Sequence, residues 1–134
     1  MNMFEIQREI FTTVANAVLA VSTNCLISNA FIYAPAEYPA MACVLSDDGT
    51  KDNTRDSSKT DNFRDITVTV DVYSNKVNGM KTEAESLMQT VIDTLIPLNF
   101  SMRSCKPTGN NASSYRISAT FTASVGADGT IYTR

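Results

Sequence analysis

The chain has 134 residues, 43% of them apolar, with 11 Lys and Arg against 14 Asp and Glu, a formal charge of −3 and no histidine. That length and apolar share support one domain built around one core. The acidic balance excludes a broad basic face that grips nucleic acid, which needs clustered cations, and the missing histidine removes both the commonest general base and the commonest metal ligand.

Residues 3–21 read as an amphipathic helix. Ile6, Ile10, Val14, Ala17 and Val21, flanked by Phe11 and Val18, form one stripe, and Glu5, Glu9, Thr12 and Asn16 fall opposite; this is helical spacing that predicts a core-facing element. Glu5, Arg8 and Glu9 are wrong for the start of a signal peptide. The fairly apolar stretch 14–34 is broken by Asn16, Ser22, Thr23, Asn24, Ser28 and Asn29, so no membrane span is expected and the protein should be soluble.

Ala30–Ala34 is a short strand candidate, followed by punctuation at Pro35 and Pro39. Met41-Ala42-Cys43-Val44-Leu45 is a continuous apolar run that suits a strand covered on both faces. From Asp47 to Asn62 no apolar residue occurs. Such a composition cannot bury enough surface to fold alone, and a long loop without structure inside a small domain is either functional or plain linker. The expectation is a mobile polar loop over 47–62, either solvated or ordered against a partner through its mixed charges.

Arg64–Ser74 then alternates cleanly, with Ile66, Val68, Val70 and Val72 on one side and Thr67, Thr69, Asp71 and Tyr73 on the other; β-branched residues at period two predict a strand. Ser74–Gly79 is a turn, with Asn78 placed to cap a second helix. That helix is predicted over 80–96 with Met80, Ala84, Leu87, Met88, Val91 and Leu95 as its stripe, and Pro97 ends it. Residues 100–105 are a weaker strand and 106–114 a loop. Tyr115, Ile117, Ala119, Phe121, Ala123 and Val125 alternate with polar residues in the longest strand pattern of the chain. Asp128-Gly129 is a hairpin turn pair, and 130–133 return alongside. The order predicts a single α+β domain, with an antiparallel or mixed sheet and two main helices packed on one face. The other face, rich in Thr and Ser, is then half-wet or meets another protein.

The sequence offers little chemistry. Cys25, Cys43 and Cys105 are odd in number and lack CxxC spacing, so reduced and mostly buried thiols of a cytoplasmic protein are expected. Asp47, Asp48, Asp52, Asp56 and Asp61 invite a calcium-loop test, but a frame starting at Asp52 puts Ser57 where the loop needs Gly and Phe63 where it needs Glu. Lys51, Arg55 and Lys59 would neutralise such a site. Ser and Thr are abundant without an obvious base. No catalytic residue, no metal and no cofactor are expected, and an enzyme is not.

The second half carries a resemblance. The strand Ile66–Asn75 ending in "VYSN", the short turn through Gly79 into a helix with Ala84, Leu87, Val91 and Leu95, and a last strand opening on Ser114-Tyr115-Arg116-Ile117 before Gly129-Thr130-Ile131-Tyr132 resemble the tail-terminator or tail-completion (tail-to-head joining) proteins of long-tailed bacteriophages. The amino-terminal helix followed by Tyr38-Pro39 and an apolar strand fits as well, so the resemblance spans roughly residues 3–132. It implies a small α+β fold and a structural virion protein at the head-proximal end of the tail, made in the host cytoplasm. Members assemble as hexameric rings, cap the tail tube and dock to the head connector or stopper protein, while DNA passes through the channel without specific binding. It also implies that the long polar loop takes part in assembly, which makes Asp47, Asp48, Lys51, Asp52, Arg55, Asp56 and Lys59 the candidate subunit or partner contacts. Tyr73, Arg116 and Tyr132 are weaker candidates, for which a half-buried place in the sheet is an equal reading. A head-side connector or stopper component and a monomeric binding module are the alternatives.

Overall fold

A computed structural model of the chain describes residues 2–32, 35–50, 63–108, 114–126 and 128–133. The elements are α1 (Met3–Val21), β1 (Leu26–Ser28), β2 (Ala40–Thr50), β3 (Phe63–Ser74), α2 (Met80–Leu95), β4 (Ser101–Pro107), β5 (Tyr115–Gly126) and β6 (Ile131–Thr133). The six strands form one mixed sheet in the order β1-β2-β3-β5-β4, with β6 also on β5. Among the described strands only β1–β2 is parallel, and every other pair is antiparallel. Both helices pack on the same side of the sheet, α1 against β2 and α2 against β3 and β5, and they also pack on each other. This is the α+β architecture that the alternating patterns predict.

The core lies between the helices and the apolar face of the sheet. Ile66, Val68, Val70 and Val72 of β3 and Ala119, Phe121, Ala123 and Val125 of β5 are fully buried. Leu87, Met88, Val91 and Leu95 of α2 come down on them, and Val14 and Val18 of α1 join the same buried cluster from the β2 side. Each fully buried aliphatic side chain contributes about 1.5–3 kcal/mol of transfer free energy. The α2 stripe is buried as its spacing requires. In α1 the stripe is rotated: Met3 and Ala15 are buried, whereas Val21 is 58% exposed. Asn2 starts α1 by accepting from the backbone N–H groups of Phe4 (3.1 Å) and Glu5 (3.3 Å), which satisfies two donors that the first turn cannot.

Four local expectations need correction. The first strand is Leu26–Ser28, not Ala30–Ala34. Residues 29–30 form a bend and 31–32 are irregular, because Ser28 Oγ ends the strand by bonding the carbonyl and N–H of Ala30 at 2.9 and 3.1 Å; Tyr33 and Ala34 lie outside the described residues. The polar run does not open as a loop, since Asp47–Thr50 continue β2 against β3 with Thr50 opposite Arg64. A ladder needs backbone partners rather than apolar side chains, and β3 supplies them as far as Arg64. A bulge between Asp47 and Gly49 adjusts the register there, with Gly49 at φ 93, a left-handed conformation that glycine takes without steric cost. Asn78 is not the cap of α2. It sits at φ 60 in the turn, and Gly79 occupies the cap position with no side-chain bond; a left-handed turn residue cannot also take the extended backbone of a cap. Lastly, α2 ends at Leu95 and a 3-10 turn, Ile96–Leu98, carries Pro97, whose missing N–H costs nothing in that first turn.

Candidate functional site

Two sides of the sheet matter beyond the core: its open face and its edges. Strand register puts Ala40, Ala42, Val44 and Ser46 of β2 beside Tyr73, Asp71, Thr69 and Thr67 of β3. These in turn sit beside Arg116, Ser118, Thr120 and Thr122 of β5. This face is bound by cross-strand polar pairs. Arg116 Nη2 donates to Asp71 Oδ2 at 3.0 Å, Ser124 Oγ to Asp65 Oδ1 at 2.8 Å and Arg103 Nε to Thr122 Oγ1 at 2.8 Å. Asp71 is 2% exposed, and its Oδ1 has no hydrogen-bond partner among the described residues, so Arg116 is the charge that makes its burial tolerable.

Tyr73 and Arg116 stand directly opposite each other, with the guanidinium carbon 5.3 Å from the ring centroid, within cation–π range. Tyr73 is 5% exposed, and its hydroxyl donates to the Ile32 carbonyl at 2.8 Å. Its phenol is pushed up, first by burial and against the opposing pull of Arg116. Tyr73 therefore holds its own subunit together and presents little to a partner. Arg116 is half-buried in the same cluster. Tyr132 is 43% exposed on β6 and lies opposite Ser124, on the open face.

Of the charged run, Asp47 and Asp48 lie at the far end of β2, whereas Lys51, Asp52, Arg55, Asp56 and Lys59 lie outside the described residues. Asp47 is ion-paired with Arg64 and accepts from the Gly49 N–H at 2.9 Å. Asp48 accepts from the Thr67 hydroxyl. The structure thus splits the two acids between the two faces of one strand end. Sequence reasoning passed over Asp71, Arg64, Arg103 and Lys106. An isolated acid inside a β-branched strand was the signal for Asp71; for the other three no local signal exists, because their meaning depends on which strand is next to which.

Among the described residues no group of three His, Cys, Asp or Glu side chains is placed to hold a metal ion. Burial pushes the Cys25 thiol up to about 11, with Glu83 adding to the effect, and the Cys43 thiol up to about 12; neither forms a thiolate near neutral pH. Cys105 is exposed on β4. No described helix is long and apolar enough to cross a membrane. In comparisons with known proteins, no family model matches the chain and no curated protein matches it.

Proposed function

We propose that this chain is a structural virion protein of a long-tailed bacteriophage, a tail terminator that closes as a ring, hexameric in the reading the resemblance implies, on the last ring of the tail tube. It performs no reaction. It stops tube growth and presents the opposite side of the ring to the head's connector or stopper protein, and DNA crosses the channel without being gripped. Its place is the head-proximal end of the tail, after assembly in the host cytoplasm.

The observation that carries this reading is the segregation of both helices to one side of a small sheet. It leaves a hydroxyl-rich face and two chemically different sheet edges on the outside. A closed ring needs two different joining surfaces on each subunit, and a one-layer sheet with unlike edges supplies them. The acidic balance supports it as well, since a channel wall rich in cations would hold DNA in place.

The test is binding to purified tail tubes and, separately, to DNA-filled heads, followed by electron microscopy. The terminator reading expects the protein at one end of each tube, arrested tube growth, and head attachment only to capped tubes. Binding to heads but not to bare tubes would overturn it in favour of a head-side neck component. Deleting residues 51–62, which leaves both strand ends intact, asks in the same assay whether the polar run serves capping.

A further inference from the structure

The two sheet edges are not equally guarded against another strand. An uncovered edge presents N–H and C=O groups that template pairing, and folded proteins blunt it with bulges, charges and proline. Strand β4 carries all three: a bulge between Met102 and Ser104, then Lys106 and Pro107. The outer edge of β2 differs. Strand β1 covers it from Ala40 to Ala42, and the chain then turns away through the Ser28 Oγ bonds to Ala30. From Val44 to Ser46 that edge has no neighbouring strand among the described residues. It carries no charge, proline or bulge until the irregularity between Asp47 and Gly49.

The ladder fixes how this edge is oriented. The Leu26 N–H bonds the Pro39 carbonyl, so Pro39 turns its backbone groups outward from β3, and strand alternation does the same for Met41, Cys43 and Leu45. Cys43 lies at the end of β1, which leaves Leu45 with its N–H and C=O both facing the open side. The Leu45 side chain, level with Val68, lies on the helix side of the sheet. There α1 packs beside β2. Phe4, Gln7, Arg8 and Phe11 recur at helical spacing and enclose, with Asn29, Cys43 and Leu45, a groove of about 230 Å³. Phe4 is 72% exposed. Of the residues lining the groove Arg8 alone is charged, and it has no ion pair among the described residues. Asp47, the next acid on that face of β2, is held by Arg64.

We propose that this groove takes an extended segment of a partner protein as an added strand, antiparallel to β2, with an acidic residue opposite Leu45 and an apolar residue two positions before it. In the antiparallel direction the residue opposite Leu45 exchanges two hydrogen bonds with it and turns its side chain to the helix side, where Arg8 is the counter-charge. Helix α1 ends beside the start of β2, since Leu26 lies opposite Ala40, so Phe4 lies towards the Asp47 end of the groove. Two residues advance about 6.8 Å along a strand and Phe4 to Arg8 about 6 Å along a helix, which sets the apolar side chain beside Phe4. Asn29, just past β1, lines the other end and limits the guest to the stretch beyond Cys43. Main-chain bonds to the edge give such a guest its affinity and its alternate side chains give specificity; Arg8 selects an acid and opposes a base. The inference is independent of the terminator reading.

The test selects binders to the full chain from a displayed library of random seven-residue peptides. Enriched sequences should share an apolar residue, any residue, then Asp or Glu. The most enriched peptide, synthesised with a fluorescein label and read by anisotropy, should bind Arg8→Glu at least about tenfold more weakly than the wild type and Arg8→Lys in between; circular dichroism checks that both variants fold. Two N-methylated peptides probe the wild type directly and need no variant. Methylation of the acidic residue's amide should abolish binding, because that N–H bonds the Leu45 carbonyl, whereas methylation of the following amide should be tolerated. No enrichment, enrichment of basic sequences, unchanged binding to folded Arg8→Glu, or equal binding of both methylated peptides would each overturn the proposal. A wild type that dimerises by light scattering and is split by Arg8→Glu would assign the groove to a second copy and overturn it as well.

Discussion

Replacing Arg116 by Met should destabilise the fold more than replacing its partner Asp71 by Asn, and the difference follows from burial. The Asp71 carboxylate is 2% exposed, Arg116 is the bonded partner of its Oδ2 at 3.0 Å, and Oδ1 has no hydrogen-bond partner among the described residues. Arg116→Met therefore leaves a buried negative charge without its cation, which costs about 2–4 kcal/mol. Asp71→Asn leaves Arg116 without its anion, but the arginine side chain is 35% exposed and can rehydrate, so about 0.5–1.5 kcal/mol is expected. The double variant Asp71→Asn with Arg116→Met removes the orphaned charge and should be more stable than Arg116→Met alone. Urea unfolding at neutral pH, read as midpoint shifts at constant slope, measures all three. A loss for Arg116→Met equal to or smaller than that for Asp71→Asn would refute the claim that the pair is organised around the burial of Asp71.

Further predictions follow from the thiols, a cap and two glycines. At pH 8, a maleimide should label native protein at Cys105 alone, with Cys25 and Cys43 reacting only on unfolding; mass spectrometry of the labelled peptides decides this. Burial raises the Cys43 thiol from 9.0 to about 12, so the folded state keeps its proton longer than the unfolded chain. The contribution of Cys43 is complete below pH 9 and falls by up to about 1.4 kcal/mol per unit as pH rises towards the folded value; Cys43→Ala should flatten that alkaline decline in urea titrations from pH 9 to 11. Asn2→Ala should lose the bonds to Phe4 and Glu5 and cost about 1 kcal/mol in thermal unfolding. Gly129→Ala should cost about 1–2 kcal/mol, because φ is +83 there although the nearest atom to an added Cβ is 4.0 Å away. Gly79→Ala, where φ is 178 and the added Cβ would meet Lys76 at 3.6 Å, should be close to neutral by the same denaturation assay.

Much of the fold was legible before any coordinates. Ile66, Val68, Val70 and Val72 alternate because one face of β3 is buried, and Leu87, Met88, Val91 and Leu95 recur at helical spacing because one face of α2 is. In each case the period of the backbone is written into the period of the side chains. Strand β1 was missed because three residues are too few to show a period. Its place is set by pairing with β2 across the intervening residues, where the Leu26 N–H bonds the Pro39 carbonyl at 2.9 Å. The four polar residues Asp47–Thr50 have the composition of a loop because composition reports burial, whereas their strand conformation comes from pairing with β3.

By itself, then, the sequence determined the two helices and the long strands, the buried faces of β3, β5 and α2, the α+β class and the lack of histidine, all of which rest on local periodicity and composition. Tertiary structure alone decided the strand order and everything that depends on it. Asp71 and Arg116 meet from 45 positions apart, and Tyr73 is withdrawn from the surface. Those relations join segments far apart in the chain, and they arise only when long-range packing chooses which strand lies beside which.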